Sequence, residues 1–382
     1  MHGFYATTEL PKLIGKSIYS FFRKNTVFCI AAVLAALSCF AVPPDAKYAE
    51  YFDWKTLTCL FCTLAVVCAL KNIHFFTNIA QRIVRAAGSM RMAVLMLVYI
   101  TFIGSMLIAN DMALLTFLPL GYYVLKAAGQ ERHMAYTFIL QNIAANLGGM
   151  LTPFGNPQNL YLYEKFRISD GEFVAIMLPP FLLAIALITA CCFAVPCGQM
   201  TIATAPPRLP AKRTALYLAL FAFSILLVFR VIPFYAGLAV VIPVLAIADR
   251  GALRRVDYGL LLTFAAFFVF SGNLARIPAV QTFFAGLLAQ NVLVVSALSC
   301  QCISNVPTAI LLSQFTENYR ELLMGVNIGG TGTLIASLAS LITFREYTAH
   351  DPAGTRRYLK LFSGLNFGFL IVLTVFCGVL CR

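Results

Sequence analysis

The sequence GGMLTPFGNPQNLYLY, residues 148–163, lies between two strongly apolar stretches and interrupts any helix that runs through it. Glycine permits unusual backbone angles, and proline prevents a helix from closing across the gap. A broken helix leaves free N–H groups at one new end, which suit an anion, and free carbonyl groups at the other, which suit a cation such as Na⁺. The stretch therefore predicts a binding loop, with a packed structural kink as the alternative.

The rest of the chain has the composition of a polytopic membrane protein. Of its 382 residues, 60% are hydrophobic and 11% are charged, and the mean hydropathy is +0.84, whereas soluble proteins carry about 25% charged residues. Two amphipathic stretches, 75–91 and 277–291, are expected to lie in the membrane interface. The predicted membrane spans are 26–43, 57–72, 173–195, 214–232, 234–249, 258–271 and 361–381.

The net charge of +13 comes from basic residues between the apolar segments, so we expect it to orient the protein in the membrane rather than to bind nucleic acid. Residues 1–25 are basic and amphipathic and predict a cytoplasmic N-terminal segment without a cleavable signal peptide. Most cysteines lie in apolar segments, where free cysteine behaves as a small hydrophobe, and the histidines lie at segment edges. We therefore expect neither a metal site nor a redox site.

Two parts of the sequence repeat one another. ANLGGMLTPFGNPQNLYLY (145–163) aligns without gaps with VNIGGTGTLIASLASLITF (326–344). Upstream of each copy an asparagine, Asn110 or Asn305, separates two apolar arms. The shared order predicts two units, each a re-entrant hairpin followed by a broken helix. The first unit spans 26–213, with hairpin 92–126 and broken helix 133–166; the second, with a linking helix, spans 214–382, with hairpin 291–317 and broken helix 320–345.

The hairpin arms, about 14–17 residues each, are short for full crossings, so each hairpin is counted as no net crossing. This count gives about nine crossings, with the N terminus inside and the C terminus outside. In that orientation 20 of the 28 lysines and arginines fall on the inner side. An odd number of crossings precedes the second unit, which makes the repeats inverted and lets the hairpin tips meet near the midplane. The predicted fold class is an all-α integral membrane protein, an inverted-repeat secondary transporter.

Neutral amides, hydroxyls and glycines are concentrated at the predicted tips and loops. Such groups can replace water around an ion without the cost of burying a charge. The candidate substrate-binding or ion-binding residues are Asn110, Asp111, Asn146, Gly148, Gly149, Thr152, Gly155, Asn156, Asn159, Ser304, Asn305, Thr308, Asn327, Gly329, Gly330, Thr331, Gly332 and Thr333.

Asp111 differs from the other acidic residues because it lies within an apolar region, at the first hairpin tip. An ionisable residue inside a membrane is a functional candidate. It would bind Na⁺ together with Asn110 and Asn305, or carry a coupling proton. The alternative is an N-cap for the second hairpin arm. Its counterpart in the second repeat is Val306.

The motifs NDMALLTFLPL, TPFGNPQNLYLY, SNVPTAILL and NIGGTGTLIASLASL resemble the ion transporter superfamily, specifically citrate-transporter-like and arsenite-permease-like membrane proteins, over about residues 26–380. The resemblance implies inverted repeats and commonly a homodimer. In sodium-coupled dicarboxylate members, Ser-Asn-Thr motifs at the hairpin tips bind substrate carboxylate and help to form Na⁺ sites. Here the second tip keeps Ser304 and Asn305 and delays the threonine to Thr308, whereas the first tip has no serine or threonine beside Asn110.

These observations leave several functions open. The first is a secondary transporter in the plasma (inner) membrane that moves a small anion, a di- or tricarboxylate or an oxyanion, coupled to Na⁺ or H⁺ and without another cofactor. The second is a Na⁺/H⁺ antiporter in which Asp111 exchanges the ions, and the third is an arsenite or antimonite efflux permease. An enzyme is not expected, because there is no HExxH motif, paired acidic motif or nucleophile with a base. The sequence contains no P-loop, so direct use of ATP would need a separate ATPase subunit.

Overall fold

The computed structural model describes residues 26–84, 87–198 and 208–381. Within these ranges all regular elements are helical; the predicted N-terminal segment 1–25 lies outside them. The α-helices are α1 (Thr26–Ala41), α2 (Trp54–Asn72), α3 (Phe75–Val84), α4 (Met90–Ile108), α5 (Asn110–Ala127), α6 (Met134–Gly148), α7 (Pro157–Lys165), α8 (Asp170–Phe193), α9 (Ala211–Val228), α10 (Phe234–Ala248), α11 (Arg250–Arg254), α12 (Tyr258–Leu274), α13 (Pro278–Gln290), α14 (Val292–Ile303), α15 (Asn305–Leu312), α16 (Tyr319–Ile328), α17 (Leu338–His350) and α18 (Thr355–Leu380).

The chain divides into two compact units. The first combines residues 1–53 with 257–281, and in its described part α1 packs along α12. The buried Asn273 of α12 donates hydrogen bonds to the hydroxyls of Ser38, at 2.9 Å, and Tyr48, at 2.8 Å. The second unit, residues 54–256 and 282–382, contains all the candidate site residues.

In the part of the chain that the structure describes, five helices are long and apolar enough to cross a membrane: α2, α4, α8, α9 and α18. A sixth span results if α12 and α13, which meet at a bend of 99°, are counted together. The chain is therefore an all-helical, multi-pass membrane protein, as its composition predicts. The count is lower than the nine predicted crossings because α1 and α10 are short and each predicted broken helix is divided into shorter helices.

The first hairpin has longer arms than the sequence predicted. Helix α4 has 19 residues and α5 has 18, so the expectation of 14–17 residues per arm was wrong here, as it was for the shorter arms of the second hairpin. The polar residues of α4 do not end it, because Thr101 and Ser105 donate their hydroxyl protons to carbonyl groups of the same helix, each at 2.8 Å. At 1.5 Å per residue, α4 spans about 28 Å. The corresponding arms α14 and α15 have only 12 and 8 residues.

The amphipathic stretch predicted over 75–91 is shorter in the structure. Helix α3 ends at Val84, and Met90 already begins α4. Ser89 is the N-cap that starts α4, since its hydroxyl accepts the Met92 N–H at 3.3 Å.

Both hairpins turn on one residue with a positive φ. Ala109 has φ 63° and ψ 150°, and Ser304 has φ 73° and ψ 157°, a combination that normally requires glycine. Asn110 and Asn305 follow as the first residues of α5 and α15. The amide oxygen of each accepts the N–H of the next residue, at 3.0 and 2.9 Å. The two tips therefore share one local geometry.

Both helices predicted to be broken are interrupted. Helix α6 ends at Gly148, a single 3₁₀ turn follows over Gly149–Leu151, and α7 begins at Pro157. Proline is well placed at the first helical position, where its missing N–H needs no intrahelical partner. In the second half, α16 ends at Ile328 and α17 begins at Leu338.

Charged side chains anchor the far end of α7. The Glu164 carboxylate, on a side chain only 4% exposed, lies 2.6 Å from Lys55 Nζ and 3.4 Å from Arg230 Nε. The Arg230 guanidinium also donates to the carbonyl groups of Tyr163, at 2.6 Å, and Ile168, at 3.1 Å. These contacts fix the end of α7 that lies away from the helix break.

The strained backbone at the first tip generates a stability prediction. Ala109→Val should destabilise the protein by about 2 kcal/mol, because a β-branched residue tolerates this backbone region poorly, whereas Ala109→Gly should be neutral or stabilising. Ala127→Val, at the exposed end of α5, is the matched control and should change little. Thermal unfolding of the purified protein in detergent measures all three, and a valine variant as stable as the control would show that the tip is unstrained.

Candidate functional site

Two reciprocal hydrogen bonds join the broken helices. The Ser337 hydroxyl, just before α17, donates to Asn146 Oδ1 at 2.8 Å. Asn156 Nδ2, just before α7, donates to Asn327 Oδ1 at 3.2 Å. In the sequence repeat Asn146 aligns with Asn327 and Asn156 with Ser337. Equivalent residues therefore form the same hydrogen bond twice, once from the second repeat to the first and once from the first repeat to the second.

The hairpin tips reach the same place. Asn110 Nδ2 donates to Asn146 Oδ1 at 3.1 Å, and the Asn305 N–H donates to the Ala336 carbonyl at 3.0 Å. A Cβ added to Gly330 would lie 3.2 Å from Asn305 Nδ2 and 3.8 Å from Asn146 Oδ1. Glycine therefore lets the loop backbone approach both tip asparagines. Two tips and two loops therefore form one polar centre inside the second unit. We call it the amide centre; its residues are Asn110, Asn146, Asn156, Gln158, Asn159, Asn305, Asn327, Gly330 and Ser337.

A second pair of equivalent contacts fastens each loop to the hairpin of its own repeat. Thr152 Oγ1 donates to the Met106 carbonyl at 2.8 Å, and Thr333 Oγ1 donates to the Gln301 carbonyl at 3.0 Å. Met106 and Gln301 each lie four residues before the tip asparagine of their repeat. The two threonines align in the sequence, so the repeat preserves a contact and not only a residue type.

Buried side-chain amides stabilise the non-helical backbone between α6 and α7. Asn159 Nδ2 lies 3.1 Å from the carbonyl oxygen of Gly149 and 3.2 Å from that of Thr152, and its Oδ1 accepts from Asn327 Nδ2 at 2.6 Å. Each of these asparagines is at most 1% exposed. The Asn159 side chain thus provides hydrogen-bond donors for two carbonyl groups that follow α6 and are not paired within a helix.

Three polar atoms at the amide centre have no hydrogen-bond partner among the described residues. They are Asn146 Nδ2, Asn156 Oδ1 and Gln158 Oε1, on side chains that are at most 2% exposed. A buried amide atom left unpaired costs about 1–3 kcal/mol. One donor and two acceptors are therefore available to a ligand in a polar, enclosed environment.

The electrostatics of the amide centre come from helix ends. Helices α5, α7, α15 and α17 begin at its residues, and α4, α6, α14 and α16 end there or within a few residues. Each helix start carries a partial positive charge and each helix end a partial negative charge, of about half an elementary charge. The contacts described above include no lysine or arginine. The helix ends therefore supply partial charges of both signs around the amide centre.

Asp111 is the acidic residue beside this centre. It is half-buried and lies one residue beyond Asn110, in the first turn of α5. The N-cap residue of α5 is Ala109, whose side chain has no acceptor, and the Asn110 side-chain oxygen accepts the Asp111 N–H. The N-cap alternative for Asp111 was therefore wrong, because its carboxylate lies inside the first turn.

The remaining predicted site residues shape the backbone. A Cβ on Gly148 would lie 2.3 Å from the Phe102 carbonyl oxygen, so Gly148 allows α6 to pack against α4. The Thr308 and Thr331 hydroxyls donate to nearby carbonyl groups of their own segments, at 2.7 and 2.6 Å. The glycines with similarly tight packing, where an added Cβ would lie under 3.0 Å from a neighbour, are Gly149, Gly155, Gly329 and Gly332.

The sequence prediction missed four polar residues of the region. Gln158 lies in the quoted loop and donates to Asn327 Oδ1 at 3.4 Å, and Ser337 is the aligned partner of Asn156. Gln301 Nε2 pairs with the carbonyl groups of Gly329 and Thr331. Asn142 donates to Ser340 at 3.3 Å. Gln158 and Ser337 could have been found from the loop and the repeat, whereas Gln301 and Asn142 lie within apolar helices.

The chain is similar to known membrane transporters over most of its length. The family model described as citrate transporter matches residues 13–319. An uncharacterized transporter of Methanocaldococcus jannaschii is 30% identical over 331 residues, which cover 86% of this chain and 90% of that protein. The inner membrane protein YbiR of Escherichia coli strain K12 is 29% identical over 316 residues, 81% of this chain and 84% of that protein. A silicon efflux transporter of Oryza sativa subsp. japonica is 29% identical over 147 residues, 38% of this chain and 30% of that protein.

The reciprocal contacts predict energetic coupling between the two halves. In a double-mutant cycle of Asn156→Ala and Asn327→Ala, we expect a coupling energy of about 1–2 kcal/mol, because the side chains share a hydrogen bond. The control cycle combines Asn156→Ala with Asn366→Ala, since Asn366 is also buried but donates within its own helix. Reversible unfolding in mixed micelles gives both energies. Additivity in both cycles would contradict the contact between Asn156 and Asn327.

Proposed function

Because the chain belongs to the citrate transporter family and is a multi-pass membrane transporter, we propose that it is a secondary active transporter of a small anion, coupled to Na⁺ or H⁺. The anion is a di- or tricarboxylate or an oxyanion, and it binds at the amide centre. The observation that carries this proposal is the meeting of two hairpin tips and two helix breaks around Asn146 and Asn327.

The anion would be held by helix starts and amides rather than by a salt bridge. Four helices begin at the amide centre, and their partial positive charges favour a negative ligand. The unpaired Asn146 Nδ2 is a donor in this region. Binding without a fixed cation suits a carrier, since a ligand that must leave at each cycle cannot be held too tightly.

The coupling cation would use the acceptor groups of the same region. Asn156 Oδ1 and Gln158 Oε1 are buried acceptors without a partner among the described residues, and oxygen ligands are those that Na⁺ uses at broken helices. We place Asp111, Asn110 and Asn305 at this cation. A Na⁺ or H⁺ on Asp111 would neutralise its carboxylate, which would otherwise repel the anion.

An inverted arrangement of the two repeats remains part of the proposal, with the N terminus inside and the C terminus outside. A hairpin contributes an even number of crossings whether it re-enters or spans, so the longer arms of the first hairpin do not change the relative orientation. Equivalent contacts in the two halves support a common origin. Alternating access would then arise from movement around a central site, in a protein that we predict to be a homodimer.

A second candidate function is efflux of an oxyanion or metalloid acid such as arsenite or antimonite. The similarity to a silicon efflux transporter over 38% of this chain supports it, as does the absence of serine or threonine beside Asn110. A Na⁺/H⁺ antiporter centred on Asp111 is the other alternative. An antiporter needs no anion, so one assay can distinguish it from an anion transporter.

Transport into proteoliposomes tests the proposal. Citrate, succinate, sulfate and arsenite are offered under imposed Na⁺ or H⁺ gradients, and we expect uptake of one anion class that depends on one gradient. Gly330→Ala should reduce uptake at least about tenfold, because its Cβ would enter the amide centre 3.2 Å from Asn305 Nδ2. The control Gly364→Ala, where nothing lies within 4 Å of the added Cβ, should transport normally. Cation exchange without any anion flux would instead identify an antiporter.

The role of Asp111 is tested by one isosteric change. Asp111→Asn should keep the fold and abolish the dependence of uptake on Na⁺ or pH, because the amide has no charge to couple. Size-exclusion chromatography checks folding, and uptake is measured with and without each gradient. Asp111→Glu, which retains the charge, should retain gradient dependence. Unchanged gradient dependence in Asp111→Asn would remove Asp111 from the coupling site and leave the cation to amide and carbonyl oxygens.

A further inference from the structure

A second polar region lies in a cavity of about 630 Å³ that contains none of the residues of the amide centre. The cavity is bounded by the end of α2, by α3 and by one side of α5, and Arg255 closes it from the segment after α11. All of these parts belong to the second unit. The transport mechanism proposed above does not use this cavity.

The charges that line the cavity have one sign. Lys71 and Arg255 contribute cations, His74 adds a basic ring, and no carboxylate lines the cavity among the described residues. Neither Lys71 nor Arg255 forms an ion pair within the described part of the chain. Two neighbouring cations without a counter-charge repel one another. An anion in the cavity would offset this repulsion.

Hydrogen bonds link the Arg255 side chain through Asn72 to the Asp249 carboxylate. Arg255 Nη1 donates to Asn72 Oδ1 at 2.7 Å. The Asn72 amide in turn donates to Asp249 Oδ2 at 2.8 Å, and the other oxygen of Asp249 accepts the Ala252 N–H at 3.1 Å. Asp249 is the N-cap of α11 and is not among the residues that line the cavity.

Three features indicate that the cavity lies where a membrane would meet water. Lys71 is in the last turn of α2, one of the five helices long enough to cross a membrane. Helix α3, which follows directly, is the amphipathic helix predicted to lie in the interface. Tyr123, on the wall of the cavity, is 50% exposed, and tyrosines are enriched at the depth of lipid headgroups.

An apolar strip continues from the basic end. Leu115 and Pro119 line the cavity on successive turns of α5 and are exposed, Leu115 by 46%. Such a strip can contact an acyl chain. Gln81, also in the lining, has a buried side-chain oxygen without a partner among the described residues, and this oxygen can accept a hydrogen bond from a headgroup hydroxyl or ammonium group. The cavity thus combines a cationic end, an acceptor and an apolar exit.

We propose that this cavity is a binding site for an anionic phospholipid, with the phosphate between Lys71 and Arg255 and an acyl chain along Leu115 and Pro119. Basic cavities between membrane helices at the interface are suited to such headgroups. The lipid would contact α5, the helix that begins with Asn110 at the amide centre. Its presence would therefore affect the helix that carries the first hairpin tip.

Native mass spectrometry of the full-length protein tests the proposal with dioleoyl phosphatidylglycerol as the probe and dioleoyl phosphatidylcholine as the neutral comparison. The double variant Lys71→Gln/Arg255→Gln should bind phosphatidylglycerol about 30-fold more weakly, which corresponds to about 2 kcal/mol, because both cations face the phosphate. The control Lys212→Gln/Arg213→Gln removes the same charge from exposed positions at the start of α9 and should bind as the unmodified protein does. Equal weakening in both double variants would overturn the site, since it would reflect net charge alone.

A second measurement locates the lipid and does not depend on the folding of the charge variants. Trp54 is the single tryptophan of the chain, so Trp54→Phe/Leu115→Trp places one fluorescent reporter on the cavity wall. Phosphatidylglycerol with brominated acyl chains should quench it at lower concentration than brominated phosphatidylcholine. Equal quenching by both lipids would overturn the proposal. Displacement of phosphatidylglycerol by millimolar glycerol 3-phosphate or citrate would also overturn it and identify a site for small soluble anions.

Discussion

The constraint on which the structure depends is that a backbone polar group inside a membrane must have a partner. Interrupting α6 and α16 removes helical hydrogen bonds, and the chain replaces them with buried side-chain amides and hydroxyls. Asn159 pairs with carbonyl groups that follow α6, and Gln301 does so for those that follow α16. Polar side chains are therefore concentrated where these helices end, and we propose that the same concentration serves as a site for ions.

Different side chains perform equivalent tasks in the two repeats. Asn156 and Ser337 both donate to the asparagine of the opposite broken helix, although one is an amide and the other a hydroxyl. The contacts of Thr152 and Thr333 retain both the residue type and the target. The main chemical difference lies at the tips, where Asp111 corresponds to Val306. A region that is nearly two-fold in its hydrogen bonds thus has one carboxylate, and this asymmetry is where we place the coupling of ion and substrate.

Four cations of the described part of the chain have roles outside the amide centre. Lys55 and Arg230 hold Glu164 at the far end of α7, and Lys71 and Arg255 face the cavity beside α3 and α5. A lysine or arginine at the centre would bind an anion more strongly but would also repel the coupling cation that we propose. Partial charges of helix ends avoid this conflict, because starts and ends of helices supply both signs within a few ångströms. The charged groups then serve to anchor helices and, as we propose, to bind lipid.

The sequence alone determined the membrane class, the helical nature of the chain, the interruptions near 149–156 and 329–337 and the repeat that relates them, because these follow from composition, glycine and proline placement and alignment. It also indicated the asparagines of the candidate site. It did not determine the length of α4, since Thr101 and Ser105 are satisfied by their own helix, or the backbone angles of Ala109 and Ser304. Only the tertiary structure paired Asn156 with Asn327 and Ser337 with Asn146, and brought Lys71 beside Arg255. The physical reason is that each of these pairs joins residues more than 150 positions apart, so their contact depends on how all the intervening helices pack.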